Sequence, residues 1–520
     1  MQQTGFYCIQ FNLYTMKLRN ILGLLLVAGA SQQAFAQYEG DALKFSGAES
    51  SATARFNALG GQQTSMGGDL SSIYGNPAGL GMFSKSEFAF TLGLNDYKNK
   101  STFLGQSTSS SVFNPTINNI GIVFHSPVSK FGDNTKKGLV AVNYGIGYQK
   151  NNFFKNKIKF SGITNENGLS DFFADQANND LDNNGNPVQP GDLYYESVYG
   201  AYMGYLINQN SSGFYDPNTY TDSDQSINVL GKGGQSNLDL SFGLNFGNNF
   251  YLGAGVGIAS INYKSQETVN ELGDFLYDYE SPVTPAPEFN PRRSYNTNFY
   301  KNYDTEGSGV NFKIGAILKP VNELRLGLSL ETPTYYDITD NYYESLSLVD
   351  PYNKNVSGDQ DFHLNYNLRT PLKLNGGISY VFGNKGFLSA DVNFQDYSTI
   401  KFSSNDSSLD RKINNNIQTN YKDVVNFGVG AEYKVSNEFA LRAGYRYMGD
   451  PYVNSSVDNS INRYSGGFGY RVGNYSIDAA VMLYDTKDGY SAYTLSGGNE
   501  PYADITKNTT RVSLTFGARF

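Results

Sequence analysis

The chain has 520 residues and a formal net charge of −9, an acidic balance that argues against nucleic acid as a partner. Its one cysteine, Cys8, excludes a disulfide framework. The mean hydropathy is negative, and no stretch beyond the N-terminal segment is long and apolar enough for a helical membrane span.

The N-terminus reads as a secretory signal. Met16-Lys17-Leu18-Arg19-Asn20 is a short basic start, Ile21 to Ala30 is almost continuously apolar, and Ala34-Phe35-Ala36 supplies small residues at a cleavage site. Residues 1–15 are expected to be an upstream extension, with Met16 as the start and Gln37 as the first mature residue. No cysteine follows the cleavage site, so a lipoprotein is not expected.

Residues 37–85 do not alternate and are rich in Gly, Ala and Ser. Their small residues and lack of long charge runs predict a hatch or plug packed inside a lumen; a periplasmic tail is the alternative. Within it, Asp69-Leu-Ser-Ser-Ile-Tyr-Gly-Asn76-Pro77-Ala78-Gly79-Leu80 is a chain reversal: Pro77 fixes φ, Asn76 is pushed out of the helical region, and Gly79 tolerates positive φ.

From Ser86 onward the chain alternates. Leu238, Leu240, Phe242, Leu244 and Phe246 interleave with Asp239, Ser241, Gly243 and Asn245; Val425 to Tyr433, Leu441 to Tyr447 and Tyr475 to Leu483 repeat the pattern. Abundant Tyr, Phe and Gly with low charge suits many strands. A soluble sandwich could share this composition, but the last ten residues separate the two. Val512, Leu514, Phe516, Ala518 and Phe520 share one face, and a terminal aromatic on such a strand is the pattern read by barrel assembly machinery. The expected fold is therefore all-β, a transmembrane antiparallel β-barrel over residues 86–520 in the outer membrane of a Gram-negative bacterium, in contact with lipid and monomeric.

About fourteen strands are expected, starting near Ser86, Ile117, Gly138, Asn237, Phe250, Ser308, Leu324, Asp361, Gly386, Tyr421, Phe439, Asn462, Tyr475 and Thr509. Two long runs contain Pro333 and Pro371. Splitting them would give sixteen; fourteen is preferred, with the prolines placed where strands leave the bilayer. Tight turns at Gly247–Asn249, Pro320–Glu323, Gly383–Lys385, Ser436–Glu438 and Gly473-Asn474 alternate with long external loops at 99–116, 151–236, 264–307, 348–360, 398–420, 449–461 and 485–508. This asymmetry puts both chain ends in the periplasm.

Asp180-Leu-Asp182-Asn-Asn184-Gly185 matches the opening of a calcium loop, although Gly191 occupies the twelfth position and Asp192 follows it; a plain polar loop is the alternative. Apart from this calcium candidate no cofactor is expected. The two histidines, His125 and His363 (beside Asp361), lack the setting of a hydrolase, so no enzyme activity is expected.

The ordered motifs Ala54-Arg55, Gly60-Gly61, Gly68-Asp69-Leu and Asn76-Pro77-Ala78-Gly79-Leu80 resemble the N-terminal hatch of the FadL/TodX family of outer-membrane hydrophobic-compound transporters, particularly its Bacteroidetes-type members. Thr370-Pro371 to Tyr380, Asp391 to Ser398 and Gly430 to Tyr445 resemble its later strands, whereas residues 151–236 match nothing in it. The resemblance implies a fourteen-stranded barrel closed by the hatch, and passive uptake of fatty acids or aromatic hydrocarbons from the external loops. It also implies a lateral exit at a kink in the third strand, here Gly138–Lys150, where Gly145 and Gly147 favour a bulge; close packing is the other use of such glycines. Tyr194, Tyr195 and Tyr199 are candidate capture residues, or else girdle residues at the membrane interface. The leading function is transport of hydrophobic small molecules. The alternatives are a non-transporting or secretion-associated scaffold that binds protein partners, and a diffusion porin.

Overall fold

The computed structural model describes residues 32–47, 51–61, 63–128, 138–455 and 457–520, with side chains from Tyr38 onward. The basic and apolar parts of the expected signal, and the extension 1–15, lie outside the described residues. A helix, α1 (Gln32–Ser46), runs through the expected cleavage point.

One sheet of eighteen strand segments closes on itself. Four wall strands are broken in two, so the wall has fourteen: β1 (Glu87–Phe103), β2 (Gln106–Pro127), β3 (Leu139–Phe153 and Asn156–Thr164), β4 (Ser223–Phe246), β5 (Phe250–Asp274), β6 (Ser294–Leu318), β7 (Leu324–Glu331 and Tyr335–Val349), β8 (Asn355–Arg369 and Lys373–Val381), β9 (Gly386–Asp396 and Lys401–Ser403), β10 (Asp423–Lys434), β11 (Phe439–Met448), β12 (Ile461–Val472), β13 (Tyr475–Tyr490) and β14 (Ala503–Arg519). Every neighbouring pair is antiparallel, and β1 pairs with β14 from Glu87↔Arg519 to Phe103↔Ala503. Pairing of β1 with β14 removes the end edges of the sheet, the condition for strands to span a bilayer.

The side-chain period of two sets which face meets lipid. Leu238, Leu240 and Phe242 are more than 40% exposed, whereas Asp239 and Ser241 between them are buried toward the lumen. The five expected tight turns all lie at one end, where the Phe520 N–H also donates to the Ser86 carbonyl at 3.0 Å. Pro333 and Pro371 interrupt β7 and β8 within the wall without adding turns. The missing ladder bonds are replaced by the Thr334 N–H donating to Thr370 Oγ1 (2.9 Å) and the Thr370 N–H donating to the Thr334 carbonyl (3.1 Å).

At the external end the strands are longer than the sequence pattern predicts. The expected loop 99–116 is a hairpin turning at Leu104-Gly105, and the loops expected at 264–307, 348–360 and 485–508 shrink to 275–293, 350–354 and 491–502. β4 begins at Ser223, not Asn237. Above the bilayer a wall strand needs no apolar face, so runs such as Ser107–Ser111 pair without alternating.

Residues 165–222 form a packed cap. It holds α2 (Leu169–Asn179), α3 (Glu196–Met203) and a small hairpin of Ile207–Gln209 with Tyr215–Pro217. Inward side chains from much of the wall, including Phe103, Phe160, Ile227, Val269, Phe299, Leu346 and Ile505, converge on Phe172, Phe173 and Ala177 of α2 and Val198 and Ala201 of α3. Phe172 and Phe173 lie 5.9 and 5.3 Å from the Phe299 ring. Glu271 accepts from the Leu169 N–H and the Tyr295 hydroxyl and fixes the start of α2. A further helix, α4 (Ser407–Asn420), lies in the β9–β10 connection and packs on α1.

Candidate functional site

The site is the lumen: the segment that fills it, the wall around it, and an interval between β2 and β3 where that wall is unpaired. Residues 51–61 and 63–83 fill the periplasmic half. Thr53 caps a short helix at Ala54–Ala58. The Ala54 N–H donates to Thr515 Oγ1 (2.7 Å), and Asn57 Nδ2 donates to Ser513 Oγ (3.0 Å), both on β14. Arg55 donates from Nε and Nη2 to the two carboxylate oxygens of Glu432 at 2.8 and 3.2 Å. Arg442 joins Glu432 (2.8 Å) to Asp478 (2.6 Å). The plug is thus held to β14 by neutral hydrogen bonds and to β10 by the charge-assisted Arg55–Glu432 pair, which Arg442 ties on to β11 and β13.

Asn76-Pro77-Ala78-Gly79 forms the opposite anchor. Asn76 caps the short helix Pro77–Met82 with its Oδ1, which accepts from the Ala78 N–H at 3.1 Å, and Pro77 takes the first helical position. Its Nδ2 donates to the Thr64 carbonyl (2.7 Å) and reaches the carbonyls of Ala316 on β6 and Leu328 on β7 (3.4 Å each). Gly79 lies against Gly67 and Ser72, where a Cβ would collide. The motif is a plug-to-wall joint as well as a turn.

Gly145 and Gly147 do not open the wall, which corrects the sequence-based expectation. Gly145 pairs with Val123 and Ser241, and Gly147 with Gly121 and Asp239, in an unbroken ladder on both sides. A Cβ at Gly145 would meet the Ile73 side chain and one at Gly147 the Tyr74 hydroxyl, so both glycines seat the plug. Tyr74 is buried and donates to the Tyr148 carbonyl at 3.2 Å.

The interruption lies higher on β3. Pairing of β2 with β3 runs from Pro127↔Ala141 to Asn119↔Gln149 and stops there. The β3–β4 register slips between Lys150 and Asn152, and β3 itself breaks at Phe154-Lys155. The upper part of β3 pairs only with β4. Residues 106–118 of β2 therefore have no backbone ladder to β3. Isolated bonds cross the interval, from Lys155 Nζ to the Phe113 carbonyl (3.0 Å) and from Ser110 Oγ to the Lys157 carbonyl (2.6 Å).

α1 docks on this interruption from inside. Phe45 stands edge-on to Phe154 at 5.8 Å, and both contact Tyr263 of β5, at 6.2 and 5.1 Å. Asn152 Nδ2 donates to the Lys44 carbonyl (3.2 Å) and Gln235 Nε2 to the Phe45 carbonyl (2.8 Å). The same apolar cluster continues through Tyr336, Ile338, Tyr366 and Phe402. Below it a cavity of about 300 Å³ separates α1 from the lower plug; its lining mixes the amides of Asn375, Asn393 and Gln395 with apolar groups such as Leu43, Phe56 and Ile461.

Toward the external mouth the lumen carries a file of rings. Tyr303 stacks on Tyr342 (4.5 Å), Tyr342 on Phe362 (5.6 Å), and Phe362 lies 5.5 Å from Tyr195. Tyr194 packs on Tyr195 but is 62% exposed, and Tyr199 on α3 is 36% exposed. Of the three predicted capture tyrosines, Tyr195 alone touches the file directly. The file itself was hidden in sequence, because its members come from different strands. The β3 break left a trace, the run Asn151-Asn152-Phe153-Phe154 that spoils the alternation.

Asp180, Asp182 and Asn184 form a self-contained turn in the cap. Asp182 Oδ1 accepts the backbone N–H groups of Asn184 (2.7 Å) and Asn186 (3.0 Å), and Asp180 accepts from the Tyr194 N–H (2.6 Å). The amides of Asn186 and Asn184 hold the Asp182 carboxyl below its ordinary range, whereas burial pushes Asp180 up. Among the described residues no three His, Cys, Asp or Glu side chains converge to hold a metal. His125 meets Asn143 (2.8 Å), and His363, on the outer face of β8, meets Asn341 (2.7 Å).

The family model described as outer membrane protein transport protein (OMPP1/FadL/TodX) matches residues 208–520. Comparison with curated protein sequences gives no match. Among solved structures, the toluene transporter TodX of P. putida is 13% identical with a TM-score of 0.48. A Pseudomonas aeruginosa FadL homologue is 15% identical (0.49) and the toluene transporter TbuX of Ralstonia pickettii 16% (0.46). Each alignment covers 90% of this chain and 98% of the other. The chain belongs to the OMPP1/FadL/TodX outer membrane protein transport family and is a plugged β-barrel of the Gram-negative outer membrane.

Proposed function

We propose that the barrel passes hydrophobic small molecules, long-chain fatty acids or aromatic hydrocarbons, from the external mouth into the lumen and releases them sideways between β2 and β3. The observation that carries this reading is the unpaired interval of the wall at residues 106–118 and 150–156, backed by the apolar cluster of Phe45, Phe154 and Tyr263. An apolar solute gains from leaving water for such a cluster. The ring file from Tyr195 to Tyr303 offers stacking surface on the way in.

Uptake of labelled toluene and of labelled oleate, in cells lacking the chain and complemented with it, tests the reading. Complementation is expected to raise uptake of one of them. Deletion of Phe154-Lys155, which would join the two halves of β3, is expected to abolish the gain. Unchanged uptake of both solutes on complementation overturns the proposal; retained uptake in the deletion overturns the lateral exit. A second reading, a scaffold for a protein partner, is favoured by the cap that fills the mouth. A stoichiometric partner recovered from detergent, together with no uptake, would select it.

A further inference from the structure

Charge on the outer face of the barrel is distributed unevenly just above the lipid-facing belt. On β1 the exposed Leu92 and Leu94 are followed outward by Lys98 and Lys100. On β3 the outer face above Tyr144, Ile146 and Tyr148 continues into Lys155, Lys157 and Lys159. On β4 it rises from Leu240 and Leu238 to Lys232. Lys157 opposes Leu230, so Lys157 and Lys232 are diagonal neighbours on one face, about 7–8 Å apart. Lys232 stands directly opposite Lys264.

Most of this charge is uncompensated. Lys98 pairs with Asp96 (3.4 Å) and Lys264 with Asp304 (2.6 Å). Lys100, Lys155, Lys157, Lys159 and Lys232 have no ion pair with a described residue. Beyond β5 the outer face carries the other sign: Asp304, which pairs with Lys264, and Glu306 on β6, Asp337 on β7, and Asp359 and Asp361 on β8. Like charges side by side on a sheet repel, and a cluster of them at the edge of an apolar belt calls for a counter-anion at that level. Lysine stems lie along apolar surface and carry their ammonium groups to the headgroup layer. The anion available there across several strands is the phosphate of an anionic lipid whose acyl chains lie on the belt below.

We infer that the outer face of β1 to β4, with Lys100, Lys157, Lys159 and Lys232 as its phosphate contacts, is a binding site for a phosphorylated glycolipid of the outer leaflet. The site flanks the unpaired interval between β2 and β3, where Lys155 already crosses to the Phe113 carbonyl. A lipid held there supplies a fixed neighbour to a stretch of wall without a ladder. The site is independent of what passes through the lumen.

The test is binding of bis-phosphorylated lipid A to the purified barrel in detergent, read by native mass spectrometry, alongside the same lipid with both phosphates removed. Wild-type protein is expected to prefer the phosphorylated lipid by at least about tenfold. A variant with Lys100→Gln, Lys157→Gln, Lys159→Gln and Lys232→Gln is expected to lose that preference, and the same four positions changed to Arg to keep it. Asp337→Asn with Asp361→Asn, on the far side, is expected to leave it unchanged. Equal binding of the two lipids by wild-type protein overturns the inference, as does full preference in the Gln variant. Competition by inorganic phosphate at equal concentration overturns the lipid as its source. Should the Gln variant fail to assemble, the wild-type comparison of the two lipids decides alone.

Discussion

Phe45 of α1 and Phe154 at the break in β3 meet edge to face at 5.8 Å, so α1 rests directly on the stretch where β2 lacks a ladder to β3. Phe45 is 1% exposed, and its removal opens a cavity at this contact. Phe45→Ala is expected to weaken docking of α1 by about 3 kcal/mol, on the order of a hundredfold in its opening equilibrium. Hydrogen exchange of the α1 amides measures it. A Phe45→Ala, Phe154→Ala cycle should show a coupling of about 0.5–1.5 kcal/mol, and strictly additive effects would contradict direct contact.

Gly147 makes room for Tyr74, and its replacement tests what the third-strand glycines do. Gly147→Ala is expected to displace Tyr74 and destabilise the plug by about 1–3 kcal/mol through overpacking. Limited proteolysis should show earlier cleavage within 51–83 with the barrel intact. An intact plug combined with loss of lateral release would return these glycines to the exit.

Asn76 uses both ends of its side chain, so its substitutions separate two effects. Asn76→Ala loses the cap and leaves the Thr64 carbonyl without its donor, a cost of about 1–3 kcal/mol. Asn76→Asp keeps the cap but turns an anion toward three carbonyl oxygens, those of Thr64, Ala316 and Leu328. It is therefore expected to be the more damaging of the two. Urea-induced release of the plug, followed by fluorescence of a label placed in it, ranks them; Asp milder than Ala would refute the carbonyl-facing role.

Where sequence and structure agree, the reason is the bilayer. Leu238 to Phe246 had to alternate because one face meets hydrocarbon, and the short turns had to be tight because nothing else covers that end. The same reasoning fails outside the bilayer. Ser107–Ser111 forms wall without any apolar period, and the cap from 165 to 222 is an ordinary packed core whose residues carry no barrel signal. The site was legible only where one short motif does the work alone, as at Asn76-Pro77. The Phe45–Phe154 contact joins segments more than a hundred residues apart, and no local pattern announces it. The two glycines of β3 misled because a glycine that admits a neighbour and a glycine that bends a strand look the same in a sequence.

Asp182 gives the cap turn a pH dependence with a definite sign. Its carboxyl is held below the ordinary carboxylate range by the amides of Asn186 and Asn184, so the folded turn favours the ionised form. The stabilisation is fully present above the unfolded pKa, near 4, and is lost as pH falls through the lower folded value. Protection of the Asn184 and Asn186 amides is expected to hold at neutral pH and to drop below about pH 4. In Asp182→Asn that acid-dependent drop should be absent. The same sample titrated with calcium tests the loop's candidate cation: unchanged protection of these amides across the titration would speak against it.

Phe520 distinguishes assembly from stability. Its side chain is 63% exposed, while its backbone N–H already donates to the Ser86 carbonyl and its neighbour Arg519 pairs with Glu87 at 2.6 Å. Phe520→Ala therefore removes an aromatic from the lipid-facing end of β14 without touching the bonds that close the barrel. Once folded, the variant is expected to melt within a few degrees of wild type, because a surface change away from such contacts is usually worth about 0.5 kcal/mol or less. Its amount in the outer membrane is nevertheless expected to fall several-fold, since the terminal aromatic is what assembly machinery is proposed to read. Quantitative heat-modifiability on gels of outer-membrane fractions measures the amount, and unfolding of the purified variant measures the stability. A normal amount with lowered stability would place Phe520 in the fold and not in recognition.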